Sequence, residues 1–410
     1  MNKRVIWNGL IASILLFNSI VSAKTDLEIA ILVSSGEQRT IMSSFINKFG
    51  EQNTDINLKL TMLPDAEYKV ALKKWLDEGK GPAVINWQAG ERLFQYVRNN
   101  QVTPINGVWD EHNLRSTFTQ SSLKAVSHQD YVYGLPISYY QWGFYYRKSI
   151  FNKLNITTPE TWGEFLEVCS ILKQNGIMPI TIGNKYKWPS AAWFDYLNLR
   201  INGLEFHSAL LRGDESFKDP RVRRVFEHWQ HLVENDYFVS YNPSLKWDEA
   251  MPFLYHKLSG MTLIGNFFAG RMPLSLKDDF GFFKFPIIDK RVELYEEAPL
   301  DIFIVPHYQS VNDAVERFLV FISKTEFQKK LNYELDMISP NINVPPSEDY
   351  FSQVGQQVLA KAQGVSQYFD RDTNAQMSDQ AVKIFAQFIV DKDIDNAIEQ
   401  LERVRQTFSK

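Results

Sequence analysis

Flat rings and planar hydrogen-bonding side chains, rather than catalytic dyads, are the chemistry this chain offers. Its 10 Trp, 18 Tyr and 29 Phe make it 14% aromatic, a large supply of apolar faces that asks for a use. No Gly-x-Ser-x-Gly elbow, Gly-x4-Gly-Lys loop, Gly-x-Gly-x-x-Gly or His-Glu-x-x-His occurs, so the common hydrolase, nucleotide and zinc-protease signatures fail. Scattered carboxylates can still meet in space as a glycosidase pair, which needs no local motif. His228 and His231 flank Trp229 on an amphipathic helix and read as packed or solvated histidines rather than metal ligands. The single cysteine, Cys169, falls on the apolar side of its helix with Phe165 and Leu172 and reads as an inert buried thiol. Tyr139-Tyr140 and Tyr145-Tyr146 raise the possibility of ferric iron, but neighbours on a strand point to opposite faces, so each pair offers one phenol to a given site.

These side chains need a scaffold of some size, and 410 residues supply it: two or three lobes at about 150 residues each. A formal charge of −4 carries no basic excess for nucleic acid. One cysteine forms no internal disulfide, so stability comes from packing.

The start of the chain reads as an export signal over 1–23, with Lys3 and Arg4, the apolar run Leu10 to Phe17, and a small-residue cleavage site at Val21-Ser22-Ala23. The apolar run is shorter than the ~20 residues a bilayer crossing needs. Cleavage would remove Lys3 and Arg4 and take the formal charge from −4 to −6. No cysteine follows the site to be acylated, so a free periplasmic protein is expected.

Leu27 to Val33 predicts a strand, followed by the Ser34-Ser35-Gly36 turn, Glu37, and a helix with Ile41, Phe45 and Phe49 on one face. Ile56 to Met62 predicts a second strand, Glu67 to Asp77 a helix, and Ala83 to Ile85 a third strand. That alternation predicts a parallel sheet with helices on both faces, and ligands of such sheets sit in loops beyond the strand ends. The third strand runs into Trp87-Gln88, one such loop. Tyr131 to Tyr146 is extended, aromatic-dense and broken at Gly134-Leu135-Pro136, which reads as a crossing into another lobe; Ser339 to Ser347 reads as a further crossing. Asp219-Pro220 starts a helix whose buried face is Val222, Val225, Phe226, Trp229 and Leu232. A helical tail is expected from about Ser378 to Phe408.

At Asn86 to Leu93 (NWQAGERL), Tyr133 to Arg147 (YGLPISYYQWGFYYR), Pro159 to Leu166 (PETWGEFL) and Gly260 to Gly270 (GMTLIGNFFAG), the chain resembles the extracellular solute-binding proteins of bacterial ABC importers, most closely the sugar-binding group. The resemblance implies an α/β fold of two lobes, type II-like, joined by hinge-crossing strands around a ligand cleft. On that basis the lobes are expected at 24–134 plus 287–344 and at 135–286 plus 345–410. It also implies a mono- or oligosaccharide ligand, delivery to a permease pair driven by a separate ATPase, a monomer, no cofactor and no catalysis.

A sugar presents hydroxyls around its edge and C–H groups on its faces, so its site combines planar polar side chains with rings. Glu37 stands where the resembled proteins carry an acid after Ser-Gly, and Gln88 in their loop after the third strand, with Trp87 beside it. Trp188, Trp247, Asn266, Phe267 and Asp301 are expected at the cleft, and Tyr140 and Trp142 at the hinge. The chain departs from many sugar binders at Ile31-Leu32-Val33 and Phe267-Phe268, where those carry tryptophans. Trp162, Trp193 and Trp229 read as core. The alternatives are a ferric-iron or polyamine binder and a secreted glycoside hydrolase.

Overall fold

The computed structural model describes residues 24–33, 36–238 and 244–408. The export signal expected over 1–23 and Ser34-Ser35 of the first turn lie outside the described residues. Among those described, no helix is long and apolar enough to cross a membrane.

The strand Thr25–Leu32 starts on two polar residues and is then apolar except at Glu28. Leu27, Ile29, Ala30 and Ile31 are all buried, as required of a strand covered by helices on both faces. It pairs in parallel with Ile56–Leu63 on one side and Val84–Gln88 on the other. The expected parallel sheet is corrected in its other half. Leu300–Pro306 lies antiparallel to Val84–Gln88, Val102–Thr103 and Leu135–Tyr139. The chain reaches this strand on its return from the second lobe, so it enters from the opposite end and needs no crossover helix.

The second sheet runs in the order Phe280–Phe283, Trp142–Arg147, Ser259–Gly265, Met178–Ile180, the first two pairings antiparallel and the last parallel. Each sheet has its own core, one around Ile29, Ile85, Phe303 and Phe318, the other around Phe144, Phe165, Trp193 and Phe285. Trp162, Trp193 and Trp229 are buried in the second, as expected. Cys169 is buried there too, and burial pushes its thiol well above the ordinary value.

The run 131–146 is not one crossing. Leu135–Tyr139 belongs to the first sheet and Trp142–Arg147 to the second, so the chain changes lobe at Tyr140-Gln141 rather than at 134/135. On the return, Ile287 bridges to Thr161 and Tyr295–Glu297 pairs with Gly364–Ser366. Residues 287–297 therefore stay with the second lobe, and the crossing is at Ala298-Pro299. The third passage lies between Asn341, bridged to Phe118, and Phe351, packed 5.2 Å from Tyr145. The expected single helical tail is two helices, Ala375–Asp391 and Ile394–Phe408, separated at Lys392, whose φ of 60° ends the first.

Candidate functional site

A chamber of about 350 Å³ opens between the two sheets, inside the ~300–1,000 Å³ range of small-molecule clefts. Rings from the second lobe form one wall. Trp142 begins its strand beside the hinge and meets Trp188 edge-on at 5.6 Å, Phe267 at 5.8 Å and Tyr368 at 4.5 Å. Trp247 crosses Phe267 at 5.1 Å. Trp188 and Trp247 are each the first residue of a helix, Trp188–Arg212 and Trp247–Tyr255, a position that projects a side chain from a fixed backbone.

Polar groups form the facing side. Asp301, on the returning strand, accepts a hydrogen bond from the Tyr140 hydroxyl at 2.5 Å and pairs with the Arg371 guanidinium at 3.2 Å. Arg371 also lies over the Tyr140 ring, 5.5 Å from its centre. Burial, and then the Asp301 carboxylate, pushes the Tyr140 phenol well above its usual value, so it stays a donor. Burial alone would lower the Arg371 pKa, but Asp301 and Tyr140 outweigh it and keep the guanidinium charged. Gln88, Asp65, Lys69 and Asp370 complete this side, with Asp65 and Lys69 ion-paired at 2.9 Å. Three carboxylates (Asp65, Asp301, Asp370) face three cations (Lys69, Arg271, Arg371), so the lining is charge-balanced.

Of the ten residues expected at the cleft, Gln88, Tyr140, Trp142, Trp188, Trp247, Phe267 and Asp301 line this chamber with the roles just described. Trp87 lines it too, and the other two need correction. Trp87 contributes only an edge: it is 2% exposed, stacks on Tyr68 at 6.3 Å, and its indole N–H is taken by the Arg92 carbonyl. Apolar packing on the first core wins over exposure there. Asn266 does not line the chamber. It is buried, and its amide donates to the Asp336 carbonyl at 2.6 Å. Glu37 lies in an adjoining recess of about 80 Å³, which shares Gln38, Phe267, Arg271 and Met337 with the chamber.

Sequence reasoning missed Asp65, Lys69, Arg271, Tyr368, Asp370 and Arg371. Asp65 and Lys69 share one exposed helix face, which reads as ordinary solvation. Tyr368-Phe369-Asp370-Arg371-Asp372 did carry a signal, two rings followed by three charges just after a short strand. Its place in the cleft depends on the long-range pairing of 364–366 with 295–297. Among the described residues, the one grouping of three close His or carboxylate ligands is Glu111, His112 and Glu316, outside this chamber. The four tandem phenols diverge: Tyr139 bonds Thr119 and Ser121, Tyr140 bonds Asp301, Tyr145 meets Gln141, and Tyr146 packs on Phe151.

Residues 34–329 match the family described as bacterial extracellular solute-binding protein. An uncharacterized ABC transporter extracellular-binding protein of Pyrococcus horikoshii is 25% identical over 327 residues, 78% of this chain and 73% of that one. The multiple sugar-binding protein of Streptococcus mutans is 26% identical over 228 residues, half of this chain and 52% of its own. Among solved structures, the bacterial solute receptor AcbH, reported to prefer β-D-galactopyranose exclusively, superposes with a TM-score of 0.85 at 24% identity, covering 94% of this chain and 99% of that one.

Proposed function

The chain belongs to the bacterial extracellular solute-binding proteins, and we propose that it captures a neutral mono- or short oligosaccharide between its lobes and passes it, unaltered, to an ABC permease. The observation that carries this reading is the make-up of the chamber: the rings of Trp142, Trp188, Trp247 and Phe267 together with hydrogen-bonding groups, and as many carboxylates as cations. Rings cover the C–H faces of a pyranose, while Asp301, Arg371 and Gln88 address its hydroxyls. A net charge would have favoured a charged solute. The volume suits one or two sugar rings. The relatives with sugar-binding names support the same class.

The work of the protein is then a hinge motion. A ligand that touches both lobes stabilises the closed arrangement by its contacts to the second lobe it meets, and shifts the population accordingly. Export through the segment 1–23, a periplasmic location and a monomeric state belong to the same proposal. Divergence of the tandem phenols argues against ferric iron, and the balanced lining against a polyamine.

A thermal-shift screen of the mature protein against monosaccharides and short oligosaccharides tests the reading, since a ligand of the native state raises Tm by mass action. A saturable shift with a neutral sugar, confirmed by calorimetry, supports it. Shifts confined to amines or metal ions, or turnover of an oligosaccharide, would overturn it.

A further inference from the structure

The helix Glu91–Arg98 opens on Gly90, whose φ is 74° and which has no side chain to cap the helix itself. A helix start exposes N–H groups that need an acceptor. Here the acceptor comes from far along the chain: the Glu91 N–H donates to Asp372 Oδ1 at 3.0 Å. The other Asp372 oxygen accepts the Gln367 N–H at 3.2 Å. Glycine is required at 90, both for its positive φ and because a Cβ there would run into the Asp372 carboxyl group.

Arg92 grips the same turn a second time. Its Nε donates to the Asp370 carbonyl at 2.7 Å, while its own carbonyl is tied by the Trp87 indole N–H at 2.9 Å. Asp370 and Asp372 are thus both held by the residues that follow Val84–Gln88, and Arg371 is the residue between them. The start of the segment is fixed as well. Gln367 accepts the Leu300 N–H at 2.9 Å and donates to the Ala298 carbonyl at 3.2 Å, at the foot of the strand that carries Asp301. On the second-lobe side Phe369 is buried, its ring 5.1 Å from Phe385 and its N–H donating to Asp195 at 2.9 Å.

Between these anchors the Arg371 guanidinium reaches Asp301 at 3.2 Å and lines the chamber, whereas Arg92 and Asp372 do not line it. A guanidinium discriminates by the directions of its planar N–H groups, so what it can recognise depends on how firmly its backbone and its counterion are placed.

We propose that Gly90, Arg92 and Asp372 form a clamp across the hinge that aims Arg371 into the chamber, which makes Arg92 and Asp372 positioning residues for sugar recognition from outside the site. The clamp joins the loop that follows Gln88, in the first lobe, to a segment packed into the second, and so places two polar contacts of the ligand, Gln88 and Arg371, in one register. Its effect on affinity rests on the sugar reading above; its hold on Arg371 does not.

Two variants of the mature chain cut the clamp without touching the lining. Asp372→Ala removes the acceptor of the Glu91 and Gln367 N–H groups. Arg92→Met removes the Nε donor but keeps the apolar stem, is expected to fold, and carries the test alone if Asp372→Ala does not. The first readout needs no ligand. In protein isotope-labelled at arginine nitrogen, the Arg371 Nε–H resonance, identified by its loss in Arg371→Lys, should shift in each variant; a resonance unmoved in a folded variant overturns the clamp. The second uses calorimetry with the sugar found in the screen. Each variant should weaken Kd by about tenfold or more, the worth of one charge-assisted hydrogen bond. In an Arg371→Gln background the same substitution should change Kd by less than about twofold, because no guanidinium remains to be aimed. An unchanged Kd in the wild-type background, or an equal loss in both backgrounds as general support of the fold would give, overturns the positioning role. If no sugar binds, the function proposed above fails, while the Arg371 resonance still decides whether the clamp holds that residue.

Discussion

Replacing Asp301 by asparagine keeps the shape of the chamber and removes one charge from its polar side. The carboxylate has about four lone-pair directions. The Tyr140 hydroxyl takes one on Oδ2 and Arg371 one on Oδ1, which leaves two for sugar hydroxyls. An amide keeps a single accepting oxygen and turns an N–H₂ toward either Arg371 or the ligand. Hydrogen bonds to a charged partner net about 1.5–3 kcal/mol each, so losing one charge-assisted bond to the ligand is worth about 2 kcal/mol, or roughly 30-fold in Kd. Asp301→Ala should cost more, because Arg371 is then left without its counterion. Calorimetry with the sugar found in the screen measures the change, and Tm without ligand checks that the fold survives. An Asp301→Asn protein that folds and binds within twofold of the wild type would show that Asp301 serves Arg371 alone, and the polar half of the chamber would have to be reassigned.

Other expectations bear on the walls and the frame. Trp247→Ala removes a ring that meets Phe267 at 5.1 Å and should weaken sugar binding about threefold to tenfold by calorimetry, the range of one aromatic contact. Glu402 accepts from the Ser216 hydroxyl, the Phe217 N–H and Arg405; against the burial that would raise it, these hold its pKa down at about 2 from 4.5. Its contribution is therefore complete above pH 4.5 and lost as pH falls toward 2. Glu402→Gln should cost about 2 kcal/mol at pH 7 after allowance for screening at Arg405, with the gap closing in acid denaturation curves below pH 4. Gly90 has φ 74° and faces Asp372 so closely that an added Cβ would lie 2.0 Å from its carboxylate oxygen. Gly90→Ala should lower stability in urea by about 2 kcal/mol or more, and would also pull Asp372 off the Glu91 N–H.

The frame was legible where local pattern and tertiary demand agree. The run Leu27 to Val33 is apolar enough to be nothing but an interior strand, and Asp219-Pro220 announces its helix by the chemistry of capping; Asp219 does accept the Arg221 N–H at 2.7 Å. What sequence does not carry is direction. Leu300–Pro306 reads as a strand of either sense, and only the return path from the second lobe makes it antiparallel. Rings at helix starts, Trp188 and Trp247, stood out because nothing about their spacing asked for burial. Trp87 reaches the chamber only by an edge, because its ring also packs on Tyr68 in the first core.

The two sides of the chamber divide the labour of recognition in a way that follows from which lobe carries which residues. Trp142, Trp188, Trp247, Phe267 and Tyr368 all come from the second lobe or its attached segments, as do the charged Arg271, Asp370 and Arg371, while Gln88, Asp65, Lys69 and Asp301 come from the first. Apolar faces tolerate many pyranoses, since every one offers C–H groups; fixed carboxylates and amides do not, because a hydroxyl missing or inverted leaves a buried polar group unpaired at ~1–3 kcal/mol. A sugar resting on the rings of an open form meets only part of the polar set and is held with less discrimination. Discrimination enters when the first lobe arrives with its hydrogen-bonding groups, and a sugar that cannot satisfy them contributes nothing to closure. Selectivity thus acts on the closed population rather than on first contact, which suits a carrier whose closed form is what a permease would have to recognise.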